Sequence, residues 1–340
     1  MKVLVVGQGG AFNLEAFVSK AFRQLGWDVR RLDMYQEISS FRRFNAYTRM
    51  LATRSYALHA LLDMLARIEN RIVSLVELER PELLLVIKGE VFPPNAARKI
   101  RHVSGASTAL WFPDDPRYLH SLLFHIAPSF DHVIVSSPST IPLLREIDVD
   151  SVVHLPFACD PTFHRTLRLE RTYDVTFVGS YYPERRRLLS VLKHQELRIW
   201  GPYWDLPWAS RSLRSKVMKE RANGDKLIEI MNRSKISVNI HHKTDLEVKG
   251  KLNMRTFETA GCGSFQLVDH RDEIGAFFAP GKEIVCYDSP EELSELVDYF
   301  LASPKERIPI AEAGQRRAYA DHTYVKRVSM FLQRIGLAQS

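Results

Sequence analysis

The feature that most constrains this chain is a repeated unit. A short, apolar, β-branched run stops at glycine or a polar residue, and a helical pattern follows it. Val3–Val6 runs into Gly7-Gln8-Gly9-Gly10, a helical pattern spans Phe12 to Leu25 with Gly26 as its stop, and Asp28–Leu32 is the next strand. Such runs lack the in–out alternation of a half-solvated sheet, so they predict parallel strands covered on both faces. The strand–helix–strand opening is the first turn of a doubly wound α/β sheet. Further strands are expected at Leu83–Ile87, Thr108–Phe112, His132–Ser136 and Val152–Leu155, about six in all, with an arginine-rich helical region between Ser40 and Glu79.

A second series begins after a polar stretch, Asp160 to Tyr173, read as a linker. Its strands are Val175–Val178, Leu197–Trp200, Ile236–Ile240, Ser264–Val268 and Ile284–Tyr287, and a helix near Thr323–Ile335 closes the chain. At 340 residues the chain exceeds the size at which one core stops growing. The expected domains are 1–160, 173–322 and a closing segment 323–340 that packs back on the first.

Composition narrows the class. Hydrophobic residues at 45% and charged residues at 26% are ordinary for a globular protein. No apolar run approaches the ~20 residues of a membrane span, and the six-residue apolar start is too short for a secretory signal. A cytoplasmic protein is expected. Cys159, Cys262 and Cys286 are few and scattered, as packing residues of a reducing compartment are. The net charge of +7 is weighted toward the first quarter, with Arg30, Arg31, Arg42, Arg43, Arg49, Arg54, Arg67 and Arg71. These residues form either a solvated helix face or a surface for an acidic acceptor or the inner face of a membrane. No nucleic-acid-binding module accompanies them, so nucleic acid is not an expected partner.

Ligands of open α/β sheets bind beyond the carboxyl ends of the strands, which selects the strand-end residues. In the second series these are Gly179-Ser180, Trp200-Gly201, His241-His242 and Asp269. In the first they are Gly7–Gly10, Lys88-Gly89-Glu90 and Pro113-Asp114-Asp115-Pro116. Gly7–Gly10 resembles half of a dinucleotide fingerprint, but Phe12 breaks the spacing. Asp114 and Asp115 are adjacent rather than alternating, and His241-His242 has no third ligand nearby, so no metal site is expected. Asp114, Asp115 and Glu90 are candidate general bases, and the two aspartates are equally candidates to cap the helix expected after Pro116. Arg255 and Glu258 are three apart on a helix and share a face, as a surface ion pair or as a cation and carboxylate offered to a ligand.

Asn253-Met-Arg-Thr-Phe-Glu-Thr-Ala-Gly-Cys-Gly-Ser-Phe-Gln-Leu-Val-Asp269, continuing through Glu273–Glu283, Ile284–Asp288 and Ala318–Arg327, is similar to the nucleotide-sugar-binding segment of the CgeB-like (spore-maturation) glycosyltransferases. Val175–Arg187 and Ile199–Pro202 resemble the first two strand ends of that family's C-terminal domain, and Trp111–Pro116 its N-terminal aromatic–acidic segment. The resemblance implies a GT-B fold, two Rossmann-like domains facing a central cleft, and metal-independent transfer of a sugar from a nucleoside-diphosphate sugar, a UDP-sugar being expected, with no permanently bound cofactor. The acceptor is a glycan, a lipid-linked species or a protein. A nucleotide-binding GT-B-like protein without transferase activity is the alternative. By this resemblance Glu258 accepts hydrogen bonds from the donor ribose and Arg255 faces the diphosphate. Gly179, Ser180 and Arg185 hold the donor phosphates, Arg185 also serving catalysis. Trp200 and Gly201 border the base, and His241 and Asn253 line the site.

Overall fold

The computed structural model describes residues 1–36, 54–114, 124–206, 211–242 and 251–338. The first sheet contains β1 (Lys2–Gly7), β2 (Asp28–Asp33), β3 (Leu83–Ile87), β4 (Ser107–Phe112), β5 (His132–Val135) and β6 (Val152–His154), in the order β2-β1-β3-β4-β5-β6. The second contains β7 (Tyr173–Val178), β8 (Leu197–Trp200), β9 (Ser234–Asn239), β10 (Gln266–Asp269) and β11 (Val285–Tyr287), in the order β11-β10-β9-β7-β8. Every pairing is parallel. This is the α/β, GT-B type of architecture. The sheet of about six strands read from the apolar runs is observed with six.

Burial explains the runs. Val3–Val6 and Leu83–Ile87 are central strands, paired Val3 to Leu83 through Val6 to Val86, and nothing in them is more than 1% exposed. The edge strand β2 instead alternates, with Asp28 and Arg30 exposed and Arg31 half-buried, donating to the Gln8 carbonyl at 3.3 Å. Helix α1 (Leu14–Gln24) begins at Asn13, whose side-chain oxygen accepts the Ala16 N–H at 3.1 Å. Helix α2 (Arg54–Glu79) sets Met64, Ile68, Ile72 and Val76 at four-residue spacing against Leu84 and Val86. Each such side chain contributes about 1.5–3 kcal/mol by leaving water. Among the described residues no helix is long and apolar enough to cross a membrane.

Contacts divide the chain into two compact units: Met1–Pro156 with Val328–Ser340, and Phe157–Arg327. The segment from Val328 therefore belongs to the first unit, where Phe331 packs edge-on to His132 of β5 at 6.4 Å between ring centroids. The polar stretch from Asp160 to Tyr173, read as a linker, is instead part of the second unit. Its polar groups find fixed partners. The Leu167 N–H donates to Asn232 at 2.7 Å, and Arg171 donates to the carbonyls of Ser234 and Gly263 at 2.6 and 2.7 Å. Polarity here reflects hydrogen bonding across the unit rather than solvation. Cys159 and Cys262 are buried and free, and burial pushes the Cys159 thiol up to about 12, as expected of packing residues.

One buried histidine makes the second unit sensitive to acid. His322 is ringed by Phe257, Phe277 and Phe278, donates from Nε2 to the Phe277 carbonyl at 2.7 Å and accepts at Nδ1 from Arg327 at 3.2 Å. Burial lowers its pKa from 6.5 to about 4. The unfolded chain therefore binds a proton that the native one refuses, so native stability is full above the unfolded value and falls as the pH drops from 6.5 to about 4. The loss from this residue is at most about 3 kcal/mol. Urea unfolding of wild type and His322→Asn at neutral and mildly acid pH tests this. The wild type is expected to lose more stability than the variant across that window, and parallel losses would assign the acid sensitivity elsewhere.

Candidate active site

Because all strands of the second sheet run parallel, the ends of β7, β8, β9 and β10 lie along one edge, and the chemistry-bearing residues collect there. Asp269, the last residue of β10, organises it. Its Oδ1 accepts both the backbone N–H of His241, at 2.8 Å, and the Nδ1–H of the His241 ring, at 2.7 Å. Its Oδ2 accepts from Arg271 at 2.9 Å. Burial works against this carboxylate's charge, but His241 and then Arg271 outweigh it and hold Asp269 at about 2. With Nδ1 committed to Asp269, His241 turns Nε2 toward the Thr256 hydroxyl, 3.4 Å away. Asp269 was legible as a strand-end acid only; its hold on His241 needs β9 and β10 to be neighbours.

Helix α7 (Met254–Gly261) follows this edge. Asn253 caps it, accepting the Thr256 N–H at 3.0 Å, and exchanges amide hydrogen bonds with Asn239 at 2.8 and 3.2 Å. Its oxygen is committed to the cap and its amide to β9. On the same helix Arg255 donates to Glu258 Oε2 at 2.5 Å. Glu258 is 5% exposed, and His164 Nε2 lies 3.5 Å from its Oε1. Burial alone would raise the Glu258 pKa; Arg255 and His164 overcome it, and the net shift is downward. The pair is therefore a buried ionised carboxylate with its cation, not a solvated surface bridge.

The ends of β7 and β8 touch through backbone. The Gly179 N–H donates to the Trp200 carbonyl at 2.8 Å, and the Gly179 carbonyl accepts the Trp204 indole N–H at 2.8 Å. Trp200 is wholly buried, tilted against Tyr173 at 5.8 Å, with its indole N–H 3.3 Å from Glu220. The expectation that Trp200 borders a base is corrected; an apolar ring that ends a β-strand inside the core has no face left to offer. Arg185, in helix α5 (Pro183–Ser190), lies over the rings of Tyr182 and Phe177 at 5.0 and 5.5 Å. It donates to the carbonyls of Ile240, at 2.9 and 3.1 Å, and Ser180, at 3.0 Å. Three of its five N–H donors thus clamp the loops after β7 and β9. Arg186 and Arg187 are exposed.

In the first unit, a recess of about 360 Å³ is bounded by Gly7–Gly10, Glu15, Arg31, Asp33 and Arg71. At Gly9 a Cβ would fall 2.2 Å from Asp33 Oδ2, so a larger residue would displace that carboxylate. Glu15 was not anticipated. It is 4% exposed, accepts the Gln8 N–H at 3.0 Å, and burial raises its pKa. Nearby, Asp114 pairs with Lys88 at 3.3 Å, Lys88 lies 3.8 Å from Glu90, and Tyr35 donates to Glu90 at 3.0 Å. Lys88 holds this place at a left-handed φ of 68°, a strain commonly stored at functional positions. Asp115 and the helix expected after Pro116 lie outside the described residues, as do Arg42, Arg43 and Arg49.

The comparisons with known proteins meet this geometry. A sequence profile described as "Glycosyl transferase-like" matches residues 170–333, which contain every element of the second sheet's edge. The spore protein CgeB of Bacillus subtilis (strain 168) is 20% identical over 269 residues, 73% of this chain and 81% of CgeB. Both matches support a likeness to the CgeB-like glycosyltransferases. Solved structures agree on the fold. Sucrose-phosphate synthase of Thermosynechococcus elongatus superposes with a TM-score of 0.67 at 11% identity, covering 99% of this chain and 100% of that one. HepE of Anabaena in complex with UDP gives 0.64 at 10% identity, with 99% and 100% covered.

Gly201, expected beside the base, has a structural reason to be glycine. Its φ is 143° and a Cβ would lie 2.0 Å from the Gly179 carbonyl oxygen, which Trp204 holds in place. We expect Gly201→Ala to cost about 1–3 kcal/mol of overpacking on top of its backbone strain. Gly281→Ala, at φ 76° with nothing within 4 Å of the added carbon, should cost only about 1–2 kcal/mol of backbone strain. Denaturant unfolding of both variants checks this; equal losses would show that the β7–β8 approach has room to spare.

Proposed function

We propose that this glycosyltransferase moves a hexosyl group from a nucleoside-diphosphate sugar, with uridine as the base, to a glycan or lipid-linked hydroxyl acceptor. We also propose that its own cations, rather than a metal ion, meet the diphosphate charge. The observation that carries the reading is Glu258. Keeping a carboxylate ionised at 5% exposure is costly, and the chain meets that cost with Arg255 on one oxygen and His164 beside the other. An ionised carboxylate is a pure acceptor, suited to the paired hydroxyls of a ribose. The UDP held by HepE, a protein of like fold, supports uridine as the base.

The charges around it suit the chemistry. Breaking a sugar–phosphate bond leaves an oxocarbenium-like sugar and builds negative charge on the departing diphosphate, and fixed cations that meet this charge lower the barrier. Arg255 stands in the first turn of α7, where the helix N-terminus adds its partial positive charge. Arg185 contributes its charge from between the Ser180 and Ile240 carbonyls, and Arg271 stands beside Asp269. Ser180 stands at the same edge, while the Gly179 N–H is already given to the Trp200 carbonyl. His241, oriented by Asp269, is the imidazole proposed to line the donor side. Asp114 and Glu90, at the carboxyl edge of the first sheet, are the carboxylates proposed to take the acceptor's proton. The basic first quarter favours an acidic acceptor or one at a membrane surface.

Glu258→Gln keeps the volume and removes the charge. It is expected to weaken UDP binding about 10- to 100-fold, the worth of a hydrogen bond to a charged group. Titration calorimetry of UDP, with a thermal melt to confirm folding, measures this; a folded variant that binds UDP as the wild type does would sink the ribose role. Release of UDP from UDP-glucose without acceptor separates a transferase, which is expected to hydrolyse its donor slowly, from a protein that only binds nucleotides.

A further inference from the structure

We infer that His164 is a positioning residue for Glu258: a neutral imidazole, locked in its Nε2–H tautomer, that fixes the carboxylate which the proposed function assigns to the donor ribose. The inference rests on that assignment and on an independent set of contacts. Asp160 starts a tight turn, its Oδ1 accepting from the Thr162 N–H and hydroxyl at 2.9 and 2.8 Å. Its carbonyl accepts the N–H groups of Phe163 and His164 at 3.0 and 2.7 Å. The same turn aims the Asp160 backbone N–H at His164 Nδ1, 2.9 Å away. A backbone N–H only donates, so Nδ1 must present its lone pair, and the ring proton is left on Nε2. That nitrogen is the one facing Glu258 Oε1 at 3.5 Å.

The approach of the turn to helix α7 is built in. The His164 side chain is 1% exposed, Tyr319 donates its hydroxyl to the His164 carbonyl at 2.9 Å, and Phe163 packs edge-on to the ring. On the helix, Gly261 stands where a Cβ would meet the Cβ atoms of Cys159 at 2.9 Å and of His164 at 3.0 Å. Any larger residue would push the turn off the helix and the imidazole off Glu258. The carboxylate thus has one oxygen on Arg255, its neighbour along the helix, and the other facing a ring delivered from 94 residues earlier. Arg255 is itself partly exposed; His164 is not.

Two substitutions separate the two nitrogens. His164→Asn retains an acceptor near Nδ1, and with it the Asp160 turn, but loses the Nε2 donor. His164→Gln extends an amide donor toward Glu258. We expect H164N to raise the Kd for UDP and the KM for the donor about tenfold, the effect of one lost hydrogen bond to a charged group, with kcat changed less. H164Q should recover most of that loss. The double variant with Glu258→Gln should bind UDP no more weakly than Glu258→Gln alone. In the wild type, long-range ¹H–¹⁵N spectra of ¹⁵N-histidine-labelled protein should show His164 as the Nε2–H tautomer, shifting when UDP is added. This measurement stands even where H164N fails to fold. A folded H164N with wild-type UDP affinity, or an Nδ1–H tautomer, overturns the inference. If Glu258→Gln itself leaves UDP affinity intact, the ribose assignment falls instead, while the tautomer measurement still decides whether the pair exists.

Discussion

The strands of both sheets run parallel, and most of the rest follows from that constraint. A parallel strand must return through a crossover, so helices cover both faces and the strands become apolar throughout. The only places left for polar chemistry are the strand ends, and parallel direction puts every carboxyl end of a sheet on one edge. In the second unit this gathers Gly179, His241 and Asp269 from three strands, and Arg255 and Glu258 from the helix after β9. In the first it gathers the Gly7–Gly10 turn, Lys88 and Asp114.

What distinguishes the second edge is how much charge it holds out of water. Asp269 with His241 and Arg271, and Glu258 with Arg255 and His164, are two buried carboxylates each set between a guanidinium and an imidazole. Removing such charges from solvent is costly, and replacing them with apolar side chains would often cost no stability. Their presence at strand ends, where ligands of this fold class bind, fits preorganisation: acceptors and donors are aimed before a ligand arrives, so little reorganisation remains to be done at the moment of reaction. Arg185 serves the same end differently, by stacking on Tyr182 and Phe177 and tying two loops together through their carbonyls.

Much of this was legible in the residues. The apolar runs located the strands because fully buried parallel strands have no alternation to confuse them, and the glycines after β7 and β8 marked where backbone comes close to backbone. Arg255 and Glu258 were recognisable as a pair because helical spacing puts residues three apart on one face. The misreadings have a common origin. Trp200 was assigned to a ligand by resemblance, yet its neighbours in space, Tyr173 and Glu220, already cover its face and take its indole N–H. The stretch from Asp160 to Tyr173 looked like a linker because it is polar, but its partners lie some 60 to 90 positions further on.

The order of amino acids alone determined the periodicity, hence the strands, the helices, the parallel class and the helix-borne ion pair, all of which depend on residues a few positions apart. Tertiary structure decided which strand ends are neighbours. Only then does Asp269 meet His241, does the Gly179 carbonyl lie against Gly201, and does His164 reach Glu258. Those contacts join residues far apart in the chain, and no local spacing encodes them, because a hydrogen bond of about 3 Å depends on where the backbone has been carried and not on how many residues carried it.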